Sequence, residues 1–277
     1  MQAAASPNPS HLQLLPTFFI PHGAGPCFFM DWKPADTWNS MASFLKGISE
    51  SLPVQPRAIV VVSGHWLEPA FKTTAHARPE LIYDYYGFPP HTYELRYPAP
   101  GDPELASTVA ATLQQHGFAA AVDNDRGFDH GVFIPFKLVY PDADIPIIQL
   151  SLRQDLNAMA HVAAGKALSR LRAQGVLIVG SGMSFHNMRG YGDTRFTHLS
   201  EVFDRWLTES VEADPVERNR RLENWEAAPF ARDCHPPRAE EHLLPLMVVA
   251  GAAGESVGRK VYSDRILETQ ISAFRFG

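Results

Sequence analysis

Ala58-Ile59-Val60-Val61-Val62-Ser63-Gly64-His65-Trp66 is the stretch on which the fold class turns. It opens with five apolar residues in a row, four of them β-branched. A strand with one wet face would alternate apolar and polar side chains. An unbroken run belongs to a strand covered on both faces, as in a parallel sheet between layers of helix. Working outward, Thr17-Phe18-Phe19-Ile20, Ile145–Leu150 and Val176-Leu177-Ile178-Val179 read the same way, and residues 118–122 read as a further short strand. Helical spacing fills the intervals. Asp36–Ser51 carries Trp38, Met41, Phe44, Leu45 and Ile48 on one stripe, and Pro53 and Pro56 end it. Asp102-Pro103-Glu104 supplies a cap, a first-turn proline and an acid, and Gly117 closes that helix. Leu156–Leu171, 197–211 and 240–250 complete the helices, and Ile271–Phe274 alternates weakly, as an edge strand would. Strands alternating with helices predict an α/β fold: a single domain over 16–277, with a central mostly parallel sheet and helices on both faces. Residues 1–15, rich in Ala, Ser, Pro and Asn, read as a flexible tail.

The bulk properties narrow the function classes. The chain has 277 residues and 45 % hydrophobic content, enough for a sizeable core. A net charge of -6 without runs of one sign gives no electrostatic footprint for nucleic acid or an anionic membrane. No apolar run reaches the roughly 18 residues of a membrane span. The two cysteines, Cys27 and Cys234, make no disulfide framework, and the first 16 residues hold no basic residue of a secretory signal, so a cytoplasmic location is expected.

The histidines carry the chemistry. His22, His65 and His186 each fall just beyond the C-terminal end of an apolar run, and that edge of an open α/β sheet is where ligands bind. Gly23 and Gly64 flank two of them and let backbone approach a ligand. One histidine alone is usually a surface or core residue. Three at equivalent positions point to a shared metal site, and imidazole suits iron and zinc. CxxC, HExxH, EF-hand and phosphate-loop patterns are all missing. The segment Leu67–Pro103 is rich in Pro, Gly and Tyr and too long for a plain connection, so it reads as a functional loop. Within it Tyr83, Tyr85, Tyr86, Phe88 and Tyr93 are candidates to wall a substrate, and Arg96 to pair with a substrate carboxylate.

Several segments, taken in order, resemble a known family. They are Pro21-His22-Gly23-Ala24-Gly25-Pro26, Val62-Ser63-Gly64-His65-Trp66, Tyr85-Tyr86-Gly87-Phe88-Pro89 with Tyr97-Pro98-Ala99-Pro100-Gly101-Asp102-Pro103, Asp129-His130-Gly131, Gly180-Ser181-Gly182 leading to His186-Asn187, and His235-Pro236 with Glu241-His242-Leu243-Leu244-Pro245. The set is similar to the extradiol ring-opening dioxygenases of the DOPA 4,5-dioxygenase type, a branch of the class III (LigB-like) enzymes. It spans about residues 17 to 253. His-Gly-Ala-Gly-Pro carries one residue more before proline than the shorter form of that motif, which suggests a subgroup distinct from the DOPA enzymes.

The resemblance implies a non-haem Fe(II) held by His22, His65 and His235, with His186 as a fourth ligand or as the acid/base. It places His130 near substrate and dioxygen, as the second catalytic histidine. His242 is expected behind His235, helping to build the substrate pocket, and Glu240 or Glu241 is the carboxylate alternative as a ligand. The implied reaction opens the ring of a catechol-type diol with O2. Zinc, which binds such sites more tightly than Fe(II), is the expected contaminant of isolated protein, and it has no redox change to offer. No nucleic-acid or membrane partner is expected, and a homodimer is left open. A metal-dependent hydrolase on the same site and a non-catalytic binding protein of the same fold are the alternatives.

Overall fold

The computed structural model describes residues 14–277, and the tail expected over 1–15 lies outside it except for its last two residues. Leu15 is not loose. It is fully buried, and its backbone exchanges hydrogen bonds with Arg172.

In chain order the elements are β1 (Thr17–Pro21), α1 (Asn39–Gly47), β2 (Ala58–Glu68), β3 (Phe71–Thr74), α2 (Pro103–Gln115), β4 (Ala120–Asp123), α3 (His130–Val139), β5 (Ile147–Arg153), α4 (Ala158–Leu168), β6 (Val176–Gly182), α5 (Arg195–Val211), α6 (Pro215–Glu223), α7 (Ala231–Cys234), α8 (Leu244–Ala252), β7 (Gly258–Ile266) and β8 (Thr269–Phe276). The strands form one sheet in the order β4-β3-β5-β2-β6-β1-β8-β7. β5, β2, β6 and β1 are parallel and form its centre, with the apolar runs that announced them. β3 and β4 pair in parallel with each other, β3 runs antiparallel to β5, and β8 and β7 extend the other side antiparallel.

Three residues of β6 establish that both faces are covered. Successive side chains of a strand point to opposite faces. Ser181 donates to the Gly131 carbonyl in α3. A Cβ on Gly180 or Gly182 would strike the Pro245 carbonyl of α8 or the His242 carbonyl just before it. So α3 and α8 lie on opposite sides of the same strand. All nine residues of α8 are buried, and it crosses α4 closely, with Gly165 against the Val248 carbonyl and Gly251 against the Val162 carbonyl. A single α/β domain with a mostly parallel sheet is therefore the observed architecture.

Some expectations need correction. Ile271–Phe274 is not an edge strand: β8 lies between β1 and β7, and β7 takes the edge. The Leu67–Pro103 loop contains β3, a four-residue strand tied to β5 through the single register pair Thr73↔Leu150. The segment expected as helix 240–250 is helical only from Leu244, so His242 sits in the turn ahead of α8. α3 carries no periodic signal because it is buried nearly all round, from His130 to Phe136 and again at Val139.

Candidate metal centre and active site

β1, β2 and β6 are parallel neighbours, so their C-terminal ends share one edge, and the histidines collect there. His22 follows β1 directly. Its amide donates to Gly182 O at 3.3 Å, and its Nδ1 lies 2.9 Å from Gly23 O. His65 does not follow β2 but sits in an irregularity within it. Val62 pairs with Leu150 and Leu67 with Leu152, so Ser63 to Trp66 oppose the lone residue Ser151. Such a bulge re-aims side chains, here that of His65. Ser63 holds it: its hydroxyl accepts from the His65 amide at 3.2 Å and donates to the buried Asp129 carboxylate at 2.7 Å. His242 arrives from the opposite end of the chain on a turn pressed against the sheet. The Gly182 position is so close that a Cβ there would lie 2.1 Å from His242 O, and at Gly64 a Cβ would lie 3.2 Å from His242 Cα.

The three rings converge. His65 Nε2 is 3.3 Å from His22 Nε2 and 3.2 Å from His242 Nε2. The ligating atoms of all three lie within 4.8 Å of one another. Metal–imidazole bonds of about 2.0–2.1 Å meeting at about 90–110° would set their nitrogens about 2.8–3.4 Å apart, so the observed spacing fits a shared ion. The tautomers fit as well. His22 Nδ1 donates to Gly23 O and His242 Nδ1 donates to Glu241 Oε1 at 2.9 Å, which leaves each Nε2 as a lone pair aimed at the common point. Burial, reinforced by neighbouring imidazoles, pushes the pKa of all three well down, so none carries a proton that would quench the lone-pair repulsion. A cation does.

Two further histidines flank this triad. His186 stacks flat on His242, with ring centroids 3.4 Å apart. It shares a possible ligand group with Glu241 and His242, but none with His22 and His65. Burial lowers its pKa to about 4, and its Nδ1 has no hydrogen-bond partner and lies 3.8 Å from Glu241 Oε1. His130 begins α3 with its ring centroid 3.9 Å from that of His65. Asp84 accepts from both its amide, at 2.9 Å, and its Nδ1, at 2.8 Å. Burial pushes the Asp84 carboxyl up, but hydrogen bonding and charge at His130 outweigh it and hold the pKa below the usual range.

The structure does not bring His235 to the cluster. Its ring packs between Phe203 and Trp225, and its Nε2 donates to Ser184 O at 2.9 Å. It is fully buried, with a pKa lowered to about 3, first by burial. His242, expected behind it, occupies the converging position instead. Glu241 turns its carboxylate onto His242 Nδ1 rather than into the triad, and Glu240 pairs with Arg232. Arg96 is exposed and does not line the cavity; its carbonyl accepts from Lys137 Nζ at 3.0 Å.

A cavity of about 500 Å³ opens onto His22, His65, His186 and His242. Trp32, Phe88, Met188 and Leu267 are among its apolar walls, and Tyr86, 92 % exposed, stands at its mouth. Tyr83, Tyr85 and Tyr93 are not in the lining: their hydroxyls donate to backbone carbonyls of the same loop, and their rings pack on each other and toward Phe133. Both thiols are buried and pushed up in pKa, and neither joins a possible ligand group among the described residues.

Two members of the site escaped the sequence. Asp84 is the only acid between Leu81 and Tyr93, and a lone carboxylate in an aromatic run was the available signal. Glu241, expected as a carboxylate ligand, instead orients His242 through its Nδ1.

Comparison with known proteins agrees with this geometry. Dioxygenase tasH of Hapsidospora irregularis is 38 % identical over 291 residues, covering 97 % of this chain and 87 % of that protein. The 4,5-DOPA dioxygenase extradiol of Beta vulgaris is 36 % identical over 87 % of each chain, and that of Escherichia coli 33 % identical over 86 % of this one and 85 % of its own. The crystal structure of an uncharacterized protein, JW3007, from Escherichia coli K12 superposes with a TM-score of 0.75 at 27 % identity, over 95 % of this chain and all of that one. The family described as the catalytic LigB subunit of aromatic ring-opening dioxygenase matches residues 16–274. Family, relatives and the histidine edge of the sheet coincide, and the chain belongs to the LigB family of aromatic ring-opening dioxygenases.

Proposed function

We propose that this protein is an extradiol dioxygenase that opens the ring of a catechol-type substrate with O2, in the cytoplasm, at Fe(II) held by His22, His65 and His242. The observation that carries the reading is the convergence of three neutral Nε2 atoms at the floor of an aromatic-walled cavity. Fe(II), when bound, supplies the one-electron chemistry that triplet O2 requires and that zinc lacks.

The chain's own residues do the rest. Apolar walls such as Trp32 and Phe88 hold an aromatic ring and exclude water above the histidines. His186 lines the cavity whereas His130 does not, so His186 is the group that meets substrate. Burial lowers its pKa to about 4, so it is neutral at neutral pH and can accept a hydrogen bond from a substrate hydroxyl. His130, beside His65, is fixed in orientation by Asp84, which stands 2.8 Å from its Nδ1.

The test is oxygen uptake by protein loaded anaerobically with Fe(II), against a panel of catechols, with the ring-opened product followed by absorbance. Uptake is expected, and expected to vanish in His22→Ala. His186→Ala should keep bound metal and lose most turnover. Absence of uptake with every catechol, at one iron per chain, would overturn the reading.

A further inference from the structure

The cavity has two chemically different ends. At its floor are His22, His65, His186 and His242. Its walls include Trp32, Phe88, Met183, Met188, Tyr191 and Leu267. The Tyr191 hydroxyl is already committed to Phe185 O at 2.8 Å. Among the described residues, no Lys, Arg, Asp or Glu lines the cavity. Lys33 and Arg189, chain neighbours of Trp32 and Met188, are exposed and outside the lining, as is Arg96.

This distribution constrains the substituent on the ring. A volume near 500 Å³ lies within the range of about 300–1,000 Å³ typical of sites for ligands larger than a bare ring. A diol at the floor would find its charge balanced by an ion held by the histidines. A second anion against these walls would give up part of its water with no cation in the lining to meet it, a placement that costs free energy unless it is paired. An uncharged group in the same place buries apolar surface against Met188, Leu267 and Phe88 and gains from it.

We propose that the substrate is a catechol bearing a bulky, uncharged, largely apolar substituent, and not a catecholic acid or amino acid. The proposal rests on the ring-opening reading for the diol, but its claim concerns the walls. It is therefore tested first by binding to the Zn(II)-loaded protein, followed through quenching of tryptophan fluorescence with Trp32 and Trp38 in the lining. The probes are matched pairs: 3,4-dihydroxybenzoate and its methyl ester, and 3-(3,4-dihydroxyphenyl)propanoate and its methyl ester. Each ester should bind at least about ten-fold more tightly than its acid, and kcat/KM of the Fe(II) form should follow the same order. Parity, or tighter binding of either acid, overturns the proposal. Met188→Lys places a cation on the wall at a side chain 71 % exposed, where the fold tolerates it. It should narrow the ester-to-acid ratio several-fold, and an unchanged ratio in that variant also overturns the proposal. Ester preference in binding without oxygen uptake by any of the four would instead strike at ring opening, so the two failures are separable.

Discussion

At the scale of single residues, the sharpest distinction is between His235 and His242. Both are buried, seven positions apart, and only His242 aims a free Nε2 at His22 and His65. His242→Ala should abolish stoichiometric metal binding, measured by elemental analysis after dialysis. His235→Asn should lower the melting temperature, because it leaves a gap between Phe203 and Trp225, yet keep one metal per chain. The reverse pattern would restore His235 as the ligand. Sequence alone could not separate the two, since both stand beside motifs of the same family. What separates them is a turn conformation and two glycines distant in the chain, Gly64 and Gly182, whose missing side chains make room for the His242 backbone. Asp84 was hidden for a similar reason: its partner His130 lies 46 residues on, and nothing local marks the pairing.

At the scale of elements, close backbone approach does much of the positioning. At Gly182 an added methyl would lie 2.1 Å from His242 O, where Met183 N already donates at 3.0 Å. Gly182→Ala should therefore displace the turn and weaken metal binding at least about ten-fold in a competition titration; unchanged affinity would separate that contact from the site. Gly165→Ala sets two effects against each other. A helix interior gains about 1 kcal/mol when Ala replaces Gly. Here the new Cβ would meet Val248 O at 2.0 Å, and overpacking costs about 1–3 kcal/mol or more. The clash should win, lowering the denaturation midpoint, and a raised midpoint would show that the α4–α8 crossing yields. The elements legible in sequence were those with a clean signal: the unbroken runs of β1, β2, β5 and β6, and α2 with its Asp102 cap on Leu105 N. Three of those missed had none, whereas α6 carries the same cap as α2, Asp214-Pro215 with Glu217 in the first turn. β3 is four residues long, α3 is apolar on nearly every side, and β7 carries Arg259, Lys260, Asp264 and Arg265 on an outer edge.

At the scale of the whole molecule, the buried histidines set the acid response of the metal-free protein. His186 and His161 have pKa values lowered to about 4 and His235 to about 3, and His22, His65 and His242 are lowered well below the ordinary value, in every case first by burial. The folded state thus binds fewer protons than the unfolded chain once the pH falls below about 6.5. Stability is fully present above that pH and is lost as the pH falls, for His161, His186 and His235 down to about pH 3–4, by at most about 1.4 kcal/mol per pH unit for each histidine. His161 is a contributor remote from the metal, with Nε2 accepting from Arg153 N and Nδ1 donating to Asn157 O. His161→Gln should shallow the slope without altering metal content; an unchanged slope would remove it from the account. Denaturant melts of metal-free protein between pH 4 and 7 make the measurement.

The position of β1 has a consequence for how the molecule comes into being. Its partners are β6 and β8, so the strand made first waits on segments around residues 176–182 and 269–276 before either edge is satisfied. The converging imidazoles inherit that delay, since they belong to residues 22, 65 and 242. At about 5–20 residues per second, ribosomal synthesis separates the first from the last by roughly 10–45 s. Throughout that interval the emerging polypeptide holds an incomplete set of donors. On the proposed reading, capture of the ion is therefore a late event, and which ion is captured depends on what the cell offers once residue 242 has emerged.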